Sequence, residues 1–274
     1  MAFQRSATDR LVAVMGLGPL PFVVQELLDS GANPNAVNKL NQSAAFLECH
    51  AGNHETLDVL LGAGAKVPII HDALTHSFGI SQTEAQHTHN TIKTIEVLLK
   101  HGADINKIDA FGKYTPLHKA AETFQPVEIF EFLLDKGADP QRMSAFGETA
   151  IRGVCRRGVY YGVDAMIKRG CDHNVKTDDG RSFIDEILSW RERKPNHART
   201  ILVLMQAQGL TPMSRIGPKD KTLLACFNDP ESKAVIKEAQ RAYRSVLMAQ
   251  RIDGAFDDEE VSAPAPSSSG GFTL

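Results

Sequence analysis

The sequence predicts an all-α solenoid: a stack of short helical repeats closed by a C-terminal helical cap and followed by a disordered tail. A recurring helix end is the first observation behind this. It reads LLDSGANPN at 27–35, LLGAGAKV at 60–67, LLKHGADIN at 98–106, LLDKGADP at 133–140 and MIKRGCDHN at 166–174, with a weaker LMQAQGL at 204–210. The second is period. Gly31, Gly64, Gly102, Gly137, Gly170 and Gly209 lie 33, 38, 35, 33 and 39 residues apart, within the range of repeat arrays. The third is composition: one Trp and four Tyr beside plentiful Leu, Ala and Val favour helix-on-helix packing over a β-sandwich.

Each part of the unit has a physical reading. The Leu pair closes the apolar face of an outer helix, the Gly supplies the left-handed conformation that stops it, and the following Asp or Asn suits a turn. The other half of the unit is clearest in DAFGKYTPLHKAA at 109–121, where Thr115 caps an inner helix, Pro116 opens it and Leu117 enters the core. AFGETAIRGV at 145–154 and DGRSFIDEI at 179–187 repeat the order with Thr149 and Ser182 as caps. NQSAAF at 41–46 does so with Asn41 where Gly is usual. These segments, TPLH at 115–118 above all, resemble the ankyrin repeat. The resemblance covers about 1–250 and is strongest over 95–175. It implies that His118 is structural and ties neighbouring repeats by hydrogen bonds.

The expected organisation is an ankyrin-repeat solenoid over 1–252. Its six repeats lie near 5–35, 38–67, 68–106, 109–141, 144–175 and 177–210, and a helical cap spans 219–250. In the cap KTLLACF reads as an inner helix and Asp229 as the cap of a longer closing helix. Residues 253–274, rich in Asp, Glu, Ser, Pro and Gly, are expected to be a disordered acidic tail. Two segments depart from the pattern. Repeat three lacks its turn half and is expected to carry a His-containing loop at 79–89; repeat six is expected to carry a basic insertion, SWRERKPNHART, at 189–200 between its helices.

Composition narrows the function classes. Net charge is −3 and pI about 6.4, so there is no global basic field for nucleic acid, and no apolar run approaches a membrane span. The four cysteines are scattered without a CxxC pair, which reads as free thiols in a reducing compartment. Cys49 and Cys155 stand where the family carries a small Ala. Five of the ten histidines, His71, His76, His87, His89 and His101, fall between 71 and 101, without Cys or acidic partners at a metal-ligand spacing. No nucleophile elbow, phosphate-binding loop or zinc-protease motif occurs. The expectation is a monomeric, cytoplasmic, non-enzymatic protein without cofactors that binds a protein partner as adaptor or inhibitor. The alternatives are a bacterial or viral effector secreted into a host cell, suggested by the acidic tail, and an ankyrin-containing enzyme.

The resemblance places partner contacts on a concave face of turn tips and inner helices. Carried over by position, the contact residues are Lys39, Phe111, Lys113, Glu122, Phe146, Arg156, Arg157, Arg181 and Trp190. Phe111 and Phe146 are singled out because an exposed aromatic on a turn tip is not explained by folding. Trp190 is flanked by arginines, a pairing suited to an interface.

Overall fold

The computed structural model describes residues 6–75, 83–109, 113–177, 179–189, 194–216 and 221–253, with side chains to 248. Within these, helices occur in consecutive pairs: α1 (Ala7–Val14) with α2 (Pro21–Asp29), α3 (Ala44–Ala51) with α4 (His54–Gly62), α5 (Ile70–Leu74) with α6 (Glu84–Lys100), and α7 (Pro116–Glu122) with α8 (Val127–Asp135). The series continues with α9 (Ala150–Arg157) and α10 (Tyr160–Lys168), α11 (Phe183–Ser189) and α12 (Pro195–Ala207), then α13 (Leu223–Cys226) and α14 (Pro230–Asp253). A two-residue ribbon, β1 (Arg215–Ile216) antiparallel to β2 (Lys221–Thr222), precedes α13.

The chain divides into two compact units, residues 1–150 and 151–274. In the first, α3, α5 and α7 pack in one row and α2, α4, α6 and α8 in another, each helix also packing on its own pair partner. In the second, α10, α12 and α14 form the corresponding outer row. This two-row arrangement is what short amphipathic hairpins must adopt, because no single pair can bury its apolar face alone.

The recurring helix end has one geometry throughout. Gly31, Gly64, Gly102, Gly137, Gly170 and Gly209 all have φ between 71° and 89°. Just beyond each Gly, the N–H of Ala32, Ala65, Ala103, Ala138, Cys171 or Leu210 donates back to the carbonyl of Leu27, Leu60, Leu98, Leu133, Met166 or Met205, at 2.8–3.1 Å. That bond and the left-handed residue before it define a Schellman stop. The same Leu and Met side chains are buried, as are Ala32, Ala65, Ala138 and Cys171 past the Gly.

Three expectations about elements change. Residues 84–89 are not loop: Thr83 accepts from the Gln86 N–H at 3.2 Å and starts α6, which carries His87 as a buried side chain. Residues 79–82 of the expected loop lie outside the described residues. Of the expected insertion, 195–200 are the first turns of α12, opened by Pro195. Only Leu223–Cys226 of KTLLACF is helical, because Lys221 and Thr222 pair with β1. Asp229 caps α14 as expected, accepting from the Ser232 N–H at 2.6 Å.

Candidate protein-binding surface

The turn tips are built on one backbone template. In the first unit the Asn38 N–H donates to the Gln42 carbonyl at 2.9 Å and the Ser144 N–H to the Glu148 carbonyl at 2.8 Å. In the second the Thr177 N–H donates to the Arg181 carbonyl at 2.9 Å. Each tip places a left-handed residue one step before the accepting one: Asn41 (φ 60°), Gly147 (φ 67°) and Gly180 (φ 77°). The opening side chain braces the tip from inside. Asn38 Oδ1 accepts from the Leu40 and Gln42 N–H groups, Ser144 Oγ from those of Phe146 and Glu148, and Thr177 Oγ1 from that of Arg181. Thus Asn, Ser and Thr stand at one position because each offers a short acceptor. At the fourth tip the bond runs from the Asp109 N–H to the Tyr114 carbonyl, one residue longer. The extra residue between Gly112 and Thr115 is accommodated there.

This bracing turns the intervening side chains outward. Leu40 is 76% exposed and Phe146 64% exposed, with Val37 and Met143 also exposed beside them. Phe146 rests one edge against Tyr114, ring centroids 6.1 Å apart, and leaves most of its surface to solvent. Lys39, Lys113 and Arg181 are exposed at their tips, and Arg181 pairs with Asp179. The Thr177 hydroxyl first, then Arg181, hold the Asp179 carboxyl below its ordinary value. Glu122 is half-buried and pairs with Lys119 at 3.0 Å. At the end of α9, Arg156 is exposed and Arg157 half-buried. Arg152, one turn earlier, is forked onto Glu186 at 3.0 Å, so its charge is neutralised inside the second unit. Phe111 and Trp190 lie outside the described residues.

Beneath the tips sit the groups that hold them. His118 Nδ1 accepts from the Thr115 hydroxyl at 2.8 Å, and its Nε2–H donates to the Glu148 carbonyl at 2.9 Å, so one neutral imidazole joins a helix start to the next tip. His71, in the repeat that lacks its turn, makes the second of these bonds: its Nε2–H donates to the Tyr114 carbonyl at 2.8 Å. Sequence reasoning missed this because PIIH at 68–71, set against TPLH, keeps only the His and the apolar residue before it. It also missed a second tie. Asn106 Nδ2 donates to the Gly137 carbonyl at 3.0 Å and Oδ1 accepts from the Asp139 N–H at 2.7 Å, while Asn35 makes the same pair of bonds to Gly64 and Lys66. The signal was present as the Asn four residues after the helix-stopping Gly.

A sequence comparison bears on what this architecture is. Residues 82–144 match the model of the family described as ankyrin repeats (3 copies). Residues 82–144 are thus a run of ankyrin repeats. The chain is 32% identical over 162 residues to the human B-cell lymphoma 3 protein, a match covering 57% of this chain and 34% of that protein. The chain thus spans about a third of that relative's length. Among solved structures it is similar in fold to the human ASB11 ankyrin repeat domain, with a TM-score of 0.52 and 20% identity over 72% of this chain and 81% of that one. Ankyrin repeats are generally protein-interaction modules.

Other chemistry finds little here. Among the described residues no group of three or more His, Cys, Asp or Glu side chains could hold a metal ion. The clustered histidines separate in space: His71 bonds Tyr114, His101 Nε2 meets Asp58 Oδ1 at 2.7 Å, His87 is buried and His89 exposed. Cys49 and Cys155 are buried, and burial pushes both thiols well up, away from the reactive thiolate. No described helix is long and apolar enough to cross a membrane.

Proposed function

We propose that this protein binds a protein partner through its turn tips and inner helices, and acts there as an adaptor or inhibitor rather than as an enzyme. The observation that carries the reading is the exposed apolar tip. Phe146 and Leu40 stand on rigid, internally braced turns with most of their surface in water. Folding gains little from an apolar side chain held out in this way, whereas an interface gains a large contact area at small entropic cost. In the first unit Lys39, Lys113 and Glu122 are proposed as polar contacts beside these anchors, with Phe111 as a further anchor; in the second, Arg156, Arg157 and Arg181 are proposed as polar contacts and Trp190 as an anchor. The protein is proposed to work as a monomer in the cytoplasm, without nucleic acid.

The test is quantitative co-purification from native extract with the wild-type chain, Phe146→Ala and Leu40→Ser. Both substitutions are at exposed sites and should shift Tm by under about 2 °C. At least one partner should fall tenfold or more with a tip variant. A partner set retained equally by all three chains would overturn the reading.

A further inference from the structure

The closing helix carries a charged face of its own. Lys233, Lys237 and Arg241 recur every fourth residue of α14 and so share one side of it. With Asn228, Pro230 and Ala234 they line a surface cavity of about 390 Å³. Of the acidic residues of the same helix, Glu231 and Glu238 are exposed and take no part in the lining. Among the described residues none of the three cations is in a salt bridge. The helix cap Asp229 acts on Lys233 electrostatically. The cavity is therefore cationic, and an acidic segment would complement it.

This chain contains such a segment. Residues 254–274 hold four consecutive acidic side chains, Asp257 to Glu260, and no Lys or Arg. Its reach matches. Along α14, Arg241 lies about 18 Å and Lys237 about 24 Å back from Asp253. In extended chain, Asp257 to Glu260 come about 14–25 Å beyond that same residue. Tethering raises the effective concentration of the segment at the helix into the millimolar range. We propose that Asp257–Glu260 fold back onto the Lys233, Lys237 and Arg241 face of α14 in the same chain and shield it from acidic segments of other molecules.

Zero-length carbodiimide cross-linking of the full chain tests this, using an equal mixture of unlabelled and ¹⁵N-labelled protein. The expected products are amides between Lys233 or Lys237 and Asp257–Glu260 that carry one isotope only. They should fall at least tenfold in about 1 M salt, where the screening length shrinks to about 3 Å. The full-length D257N/D258N/E259Q/E260Q variant should lose these links. It should also bind a fluorescent peptide of residues 254–262 at least tenfold more tightly than wild type does. Mixed-isotope links would place a second copy on the helix and overturn the proposal. Absence of links at Lys233 and Lys237, or equal peptide binding by both chains, would overturn it too. This inference rests on α14 alone, so its failure leaves the turn-tip reading untouched.

Discussion

His71 of α5 and His118 of α7 each grip the next tip through one imidazole. His118 is buried with both ring nitrogens engaged, so His118→Ala loses two bonds and leaves a gap, at a cost of about 2–4 kcal/mol in chemical denaturation. His71 adds a pH dependence. Burial pushes its pKa down, and the bond to Tyr114 only partly restores it. Its folded-state value is thus below the unfolded one, so its contribution is present above about pH 6.5 and is lost as pH falls through the lower folded value. The difference in stability between wild type and His71→Gln should shrink on acidification across that window; a pH-independent difference would contradict it. Glu48 runs the other way. Burial raises its carboxyl, although the Gly16 N–H at 2.8 Å and Asn53 Nδ2 at 2.7 Å both stabilise the charge. With a raised folded value, its contribution is complete below about pH 4.3 and is lost as pH rises through the folded value. Glu48→Gln, which keeps an acceptor for Gly16, should therefore gain stability relative to wild type as pH rises from about 4 toward neutrality.

At the scale of elements, backbone conformation governs substitution. No side chain or backbone atom lies within 4 Å of where a Cβ would sit on Gly102 or Gly137. Gly137→Ala should therefore cost about 1–2 kcal/mol through the left-handed backbone alone, with no change in packing. Phe124 shows the converse. It ends the turn after α7 at φ 53° and is 57% exposed, where the corresponding turns after α3 and α9 carry Gly52 and Gly158 at φ 73° and 71°. Phe124→Gly should raise stability by up to about 1 kcal/mol, once the entropy of the new glycine is set against the relieved strain. The helix stops were legible in sequence because a Gly at a fixed distance from a Leu pair has few other uses. The start of α6 was not. His87, Thr91 and Thr94 face the core there, and polar residues on a buried helix face erase the apolar period that marks a helix.

At the scale of the molecule, the fold was readable because the unit repeats, and each copy corrects the reading of the others. The site was readable only in part. Position within the repeat identified Phe146, Lys39 and Arg181 as tip residues, and the structure places all three on exposed, braced turns. Of the ties beneath them, the His118 bond to Glu148 was implied by the TPLH resemblance, whereas the His71, Asn35 and Asn106 bonds were not read, because each reaches 29 to 43 residues along the chain. Arg152 lies close in sequence to Arg156 and Arg157, yet its charge is paired with Glu186, a pairing that only tertiary structure reveals. The deciding measurement is the affinity of a partner, once captured, for wild type and for Phe146→Ala at matched Tm. A fall in affinity of tenfold or more with Tm unchanged is the predicted result; equal affinity for the two chains would contradict it.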